Sequence, residues 1–172
     1  MKKIKYALSI VFLISIYSSN VVAQNTDVVN TISKSSDHSS FYSLLQQTEL
    51  QNTLKGAGPY TIFAPSDVAF KSLKAGLLDF MLKPENKQKL AKLINTHIVI
   101  GNYDEAKLLS AFKSNNNTIT LGTLAGTQLK LSIQEGIITI TDPQGGKSIV
   151  RTPFVNAGNG LIYTIDHVLL PL

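Results

Sequence analysis

Two hydrophobic rhythms divide this chain. Between residues 28 and 112 the apolar positions recur at helical spacing: Val28, Val29 and Ile32, then Phe41, Leu44 and Leu45. That is the i, i+3, i+4 pattern of helices that bury one face. Val28 to Ile32 reads as the start of a first helix that Phe41, Leu44 and Leu45 continue, with Ser39 or Ser40 able to cap it. Leu50 and Leu54 make a further short turn, stopped at Gly56-Ala57-Gly58-Pro59. One short apolar run, Tyr60 to Ala64, interrupts the rhythm and predicts a buried strand. Pro65-Ser66-Asp67 ends it, and Ser66 or Asp67 can cap a helix carrying Ala69, Phe70 and Leu73. Gly76 breaks that helix before Leu77, Leu78, Phe80 and Met81. Pro84 opens the clearest helix, since a first-turn residue has no use for an amide. Its apolar face is Leu90, Leu93 and Ile94, with His97 one turn on. Asp104-Glu105 suits the first turn of a helix through Leu108 and Leu109.

After residue 117 the period becomes two. Residues 118–121, 127–133, 137–141, 148–155 and 161–168 predict strands, separated by Gly122, Gly126, Glu135-Gly136, residues 142–146 and residues 158–160. Leu129, Leu131 and Ile133 point to one face, Lys130 and Ser132 to the other. Helices first and sheet later is an α+β arrangement. No repeat of 20–50 residues shows, so the chain is read as one unit.

The first 23 residues belong to neither rhythm. Lys2, Lys3 and Lys5 precede an apolar stretch from Ala7 to Tyr17, and Val21-Val22-Ala23 supplies small residues before Gln24. This is the order of a secretory signal peptide. Its apolar core of about 11 residues is short of the ~20 that span a bilayer, which favours cleavage after Ala23 over a retained anchor. Residues 24–37 read as a polar segment leading into the first helix.

Composition then narrows the field. Hydrophobic residues make up 44% and charged residues 16% of 172, the balance of a chain with a packed core. With no cysteine there are no disulfides, thiolate metal sites or cysteine nucleophile, and the core alone must hold an exported fold. The +5 charge suggests nucleic acid, but three of those charges sit in the leader. The mature chain carries thirteen basic and eleven acidic side chains, too even for that reading. No later stretch reads as a transmembrane segment.

Three motifs resemble one family. Thr61-Ile62-Phe63-Ala64-Pro65-Ser66-Asp67-Val68-Ala69-Phe70 closely resembles the first signature of the fasciclin-like (FAS1) domain. Residues 159–171, containing Asn159, Gly160, Ile165, Asp166, Leu169 and Pro171, resemble its second signature. Residues 95–103 are similar to its central histidine motif, with Thr96 where the family often has Tyr; Tyr163 stands where His is frequent. The resemblance covers about 28–172 and implies a wedge-shaped β-sandwich beside a bundle of short helices. It implies an adhesive or interaction role, with protein, glycan or matrix partners, rather than catalysis. The implied setting is periplasmic or extracellular, without a cofactor.

The residues themselves read first as structure. Phe63 and Phe70 flank a sharp turn, Pro65 ends a ladder, Asp67 offers a cap, and Asn159-Gly160 suits a tight turn. Thr61, Ala64, Ile165, Leu169 and Pro171 complete these structural motifs. His97 shares a buried helical face and needs a partner. Asp67, Ser66 or a carbonyl of their loop is the expected one; the functional alternative is a general base or pH-sensitive latch. His38 reads as exposed. Asp166-His167 should point to opposite faces of a strand, and the three histidines lack metal-ligand spacing. Gly145-Gly146-Lys147-Ser148 is not a phosphate loop, because Thr141 occupies the position that needs glycine. Asn116-Asn117-Thr118 is a glycosylation sequon that matters only in a host with that machinery, and Lys83, Lys87, Lys89 and Lys92 read as a solvated face. No catalytic or metal-binding set emerges. The leading expectation is an exported, non-enzymatic interaction module, and the alternative is a carrier of small apolar ligands in a cleft between helices and sheet.

Overall fold

The computed structural model describes residues 26–56 and 58–172. The leader assigned to residues 1–23, and Gln24 and Asn25 of the polar segment, lie outside the described residues. Helices come first: α1 (Val28–Ser33), α2 (Ser39–Gln47) and α3 (Leu50–Leu54), then strand β1 (Tyr60–Pro65). Next are α4 (Asp67–Lys71), α5 (Leu77–Met81), a 3-10 turn (Pro84–Asn86), α6 (Lys87–Thr96), β2 (Ile98–Ile100) and α7 (Glu105–Ser114). Strands β3 (Thr118–Gly122), β4 (Gln128–Gln134), β5 (Ile137–Thr141), β6 (Lys147–Ala157) and β7 (Gly160–Ile165) finish the chain. The fold is α+β, as the change of period predicts.

The seven strands form one sheet in the order β2-β1-β7-β6-β5-β4-β3. The two layers implied for a sandwich are therefore two halves of one sheet. Eleven-residue β6 serves both, pairing with β5 at its start and with β7 beyond, across an irregularity between Arg151 and Val155. Such a bulge bends a strand and increases its twist. The far edges come together where Val99 bridges Thr123 and the Leu124 amide donates to the Ile98 carbonyl at 2.8 Å, so the sheet nearly closes into a barrel. The strand β2, three residues within the central motif, carries no alternation of its own.

One pair is parallel. β1 lies beside β7, with Ile62 opposite Ile162 and Pro65 opposite Ile165. Both strands bury both faces, which explains why they read as continuous apolar runs while β3, β4 and β5 alternate. Ile62, Ala64 and Ile162 face the helices and pack with Phe41, Leu45, Leu93 and Ile94. Phe63, Leu161, Tyr163 and Ile165 face the barrel interior and pack with Leu108, Phe112, Leu129 and Ile140. The helices and the sheet half thus form two cores divided by β1 and β7. The layer where the alternative reading placed an apolar-ligand cleft holds packed side chains.

Local differences from expectation have simple causes. The first helix is two, because Ser35-Ser36-Asp37 turns the chain between α1 and α2. Pro84 starts a 3-10 turn that leads into α6. The last strand stops at Ile165 instead of 168, because Asp166 leaves the ladder to bond β6. The β4–β5 hairpin turns through Glu135 and Gly136, both with positive φ, as two-residue loops require.

Gly160 starts β7 with no room for a side chain. A Cβ there would lie 2.3 Å from the Tyr60 carbonyl oxygen. Gly160→Ala is expected to force β1 and β7 apart and to cost about 3 kcal/mol or more, read as a drop in the urea midpoint; a midpoint unchanged from wild type would refute the packing argument.

Candidate functional site

The parallel pairing brings the first and last motifs side by side, although one hundred residues separate their partners. Several polar side chains of the motifs then find partners inside the fold, while the Asn95 Oδ1 of the central motif is buried without one. Thr61 Oγ1 donates to the Gly101 carbonyl at 2.7 Å and accepts from the Tyr103 amide at 3.0 Å, tying β1 to the loop after β2. Asn159 clamps three elements: its Oδ1 accepts from the Val28 amide, and its Nδ2 donates to the Leu54 and Gly56 carbonyls at 2.7 and 2.8 Å.

Ser66 and Asp67 divide the capping between two helices. Ser66 Oγ accepts from the Ala69 amide and caps α4, its own helix. Asp67 instead caps α2, where Oδ1 accepts from the Ser40 amide at 2.8 Å and Oδ2 from the Ser39 hydroxyl at 2.6 Å. The serines were expected to cap α2 themselves; they are the capped residues, and the acceptor comes from another element. Burial pushes the Asp67 carboxyl up, but the Ser39 and Ser40 donors outweigh it and hold its pKa below the ordinary value.

His97 ends α6 and is fully buried. Neither Asp67 nor Ser66 is its partner. Its Nδ1 lies 2.9 Å from the Leu93 carbonyl one turn back, and its Nε2 accepts from the Leu169 amide at 2.9 Å. The link to the first motif runs through the main chain, where the His97 carbonyl accepts from the Phe63 amide. These partners define one tautomer: a carbonyl can only accept, so Nδ1 carries the hydrogen, and an amide can only donate, so Nε2 is bare. Burial lowers the pKa to about 4, partly offset by the Leu93 carbonyl.

The other histidines also depart from expectation. His38 is buried, with Nδ1 2.8 Å from Ser35 Oγ and Nε2 3.2 Å from Thr164 Oγ1. Burial lowers its pKa, against the opposing charges of Asp37 and Asp67. No periodicity marks this residue, because it sits in the turn between helices and is covered by β7 from the far end of the chain. His167 Nδ1 touches Asp166 Oδ1 at 3.0 Å, contrary to the opposite-face expectation, because both residues lie in a bend and not a strand. Asp166 Oδ1 also accepts from the Ile149 amide and the Ser148 hydroxyl. These donors and His167 hold its carboxyl below the ordinary range despite the upward push of burial.

The two family departures are both interior. Thr96 is buried and bonds the Lys92 carbonyl. Tyr163 is buried, stacks on Phe63 with centroids 5.7 Å apart, and donates its hydroxyl to the Tyr103 carbonyl at 2.9 Å. Burial, helped by Asp104 and Glu105, pushes its phenol well up. Neither side chain is presented to a partner. Phe70, Leu169 and Pro171 are buried too.

One residue did more than its pattern promised. Asp142 is visible in sequence as a turn former, and its Oδ1 does accept from the Gln144 and Gly146 amides. Its Oδ2 also accepts from the Leu170 amide, fastening the C-terminal segment. Among the described residues no cluster of three or more His, Asp or Glu could hold a metal ion. Ser148 bonds Asp166 and the main chain of His167, not the imidazole, so the three do not form a nucleophile–base relay.

Comparison with known proteins places this architecture. Residues 36–171 match the Fasciclin domain family. Protein sll1483 of Synechocystis is 31% identical over 144 residues, which is 84% of this chain and 73% of that protein. Transforming growth factor-beta-induced protein ig-h3 from Sus scrofa is 34% identical over 71% of this chain, but the match is only 16% of its own length. The solved FAS1 domain pair of the insect cell adhesion molecule fasciclin I superposes with a TM-score of 0.62 at 25% identity, covering 76% of this chain and 44% of that one.

The burial of His97 makes stability depend on pH. Between pH 6.5 and about 4 the unfolded chain takes up a proton that the folded chain refuses. The contribution is complete above pH 6.5 and is lost as pH falls toward about 4; over that window it amounts to about 3 kcal/mol. Melting of wild type and His97→Gln across the window should show a steep wild-type slope and a shallower one for the variant; parallel slopes would contradict the assignment. Thr61→Val loses two hydrogen bonds at a buried site and is expected to cost about 1–3 kcal/mol in urea unfolding.

Proposed function

The chain belongs to the Fasciclin domain family, and from that premise we propose that it is an exported, non-enzymatic interaction module that captures a protein, glycan or matrix partner on its surface. One observation carries the reading. Thr61, Thr96, His97, Asn159 and Tyr163 of the motifs spend their side-chain hydrogen bonds within the fold, so recognition falls to the outer faces. The name of one similar protein points the same way, since the solved domain pair comes from a cell adhesion molecule. No helix among the described residues is long and apolar enough to cross a membrane, and the leader assigned to residues 1–23 supplies the export route.

The outer face of the β5–β6 pair presents exposed apolar side chains. Ile137 is 52% and Ile149 46% exposed, while their strand neighbours Ile138 and Val150 point inward. Thr139 lies opposite Ile149. Exposed β-branched residues on a twisted, firmly paired sheet offer a rigid patch, and rigidity lowers the ordering cost of binding.

Fractionation with N-terminal sequencing of the purified protein is expected to find a chain starting at Gln24 outside the cytoplasm. In vivo crosslinking should trap a partner, and Ile137→Lys with Ile149→Lys should weaken its capture about tenfold while leaving the melting temperature nearly unchanged. A cytoplasmic chain with its leader intact, or capture indifferent to both substitutions, would overturn the reading.

A further inference from the structure

Helix α5 is the poorly covered element of the fold. Four of its five residues are apolar (Leu77, Leu78, Phe80 and Met81), yet none is buried, and Phe80 is 42% exposed. Every other α-helix among the described residues buries at least one side chain. On one flank of α5 lies a groove of about 340 Å3, walled by Leu77, Met81, Leu170 and Pro171 and edged by Lys89 and Lys92. A second hollow of about 240 Å3 shares Leu77 and Leu170 with it and extends the apolar floor toward Leu73 and Val168. The first volume alone reaches the lower end of the range typical for small-molecule sites.

The charge around this groove is predominantly positive. Residues 71–92 hold six lysines against Asp79 and Glu85, whereas the other described residues hold seven basic and nine acidic side chains. Lys89 Nζ sits 4.8 Å from the centre of the Phe80 ring, and Lys92 Nζ donates to the main-chain oxygen of Leu172. Neither ammonium meets an acidic side chain among the described residues. Asp142, at the far end, has both oxygens turned to main-chain amides. An apolar trough with cations at one end complements an apolar chain that ends in an anion.

We propose that this groove binds a single-chain anionic amphiphile of the long-chain carboxylate type. The carboxylate meets Lys89, with Lys92 beside it, and the hydrocarbon lies along Leu77, Met81 and Leu170. Burial of the chain supplies the affinity and the ammonium groups fix the direction. The site is separate from the β5–β6 face, so it stands or falls independently of partner capture.

Calorimetry with sodium dodecanoate, below its micelle concentration, tests the proposal on the mature chain. One saturable site is expected, with hexanoate bound at least about tenfold more weakly because six methylenes are missing. Lys89→Glu should weaken dodecanoate about tenfold, and dodecanol should bind the wild type more weakly than dodecanoate. Met81→Trp should fill the groove and block binding; if that variant fails to fold, Lys89→Glu, at an exposed position, still decides the matter. Absence of saturable binding, or affinity unchanged by Lys89→Glu, would overturn the assignment. So would flotation with phosphatidylglycerol vesicles without binding of free dodecanoate, which would make the face a membrane contact instead.

Discussion

The structure depends on the parallel pairing of β1 with β7. It is the single parallel contact among the described residues, and it joins segments one hundred residues apart. Closing so long a loop is entropically costly before any contact forms, so the pair must bring a large return at once. It does so by burying both faces of both strands. The helices pack on one side and the barrel interior on the other, and neither core closes without the seam. Close backbone approach is part of the same arrangement: the Tyr60 amide bonds the Asn159 carbonyl, and Gly160 leaves space for the Tyr60 carbonyl.

The seam also organises the polar groups. Asn159 at its start ties α1 and the end of α3, while Ser66 and Asp67 at its finish cap α4 and α2. Both ends of one strand pair therefore anchor helices, and one of these, α2, has no side-chain cap of its own. His38, which precedes α2, has no capping bond from its side chain. A helix as short as α2 is marginal alone, and the remote carboxylate of Asp67 supplies what its local sequence does not. The motif residues are in this sense shared between elements rather than owned by one.

That sharing explains what the sequence showed and what it hid. Period alone revealed the order of helices and strands, the apolar face of α6, and the inward set Leu129 and Leu131, because each depends on neighbours within about a turn. The start of α7 at Asp104-Glu105 and the turn at Glu135-Gly136 were legible for the same reason. The missed assignments all reach across the chain. Asp67 serves α2, twenty-seven residues earlier than its own position, and His38 is covered by Thr164. His97 pairs with an amide seventy-two residues later. Composition and spacing mark such residues as polar and half-buried, but the choice of partner is made by tertiary packing. The three-residue β2 was hidden because it borrows its strand character from pairing with β1.

The C-terminal segment after β7 shows how far the same logic extends. It has no regular structure, so its main-chain groups must be satisfied from outside. His97 takes the Leu169 amide, Asp142 the Leu170 amide, and Gln144 donates to the Pro171 carbonyl at 2.6 Å. Three residues from two distant elements thus hold the segment that forms one wall of the groove beside α5. Of the three bonds, the one to His97 alone requires a neutral imidazole, since a protonated Nε2 would confront the Leu169 N–H with a second donor. Protonation of His97 therefore acts at Leu169, next to Leu170 on the groove wall. A ligand lying along Leu170 would favour the docked segment and, by linkage, the neutral histidine behind it, so groove occupancy and the protonation of His97 oppose each other through a single stretch of main chain.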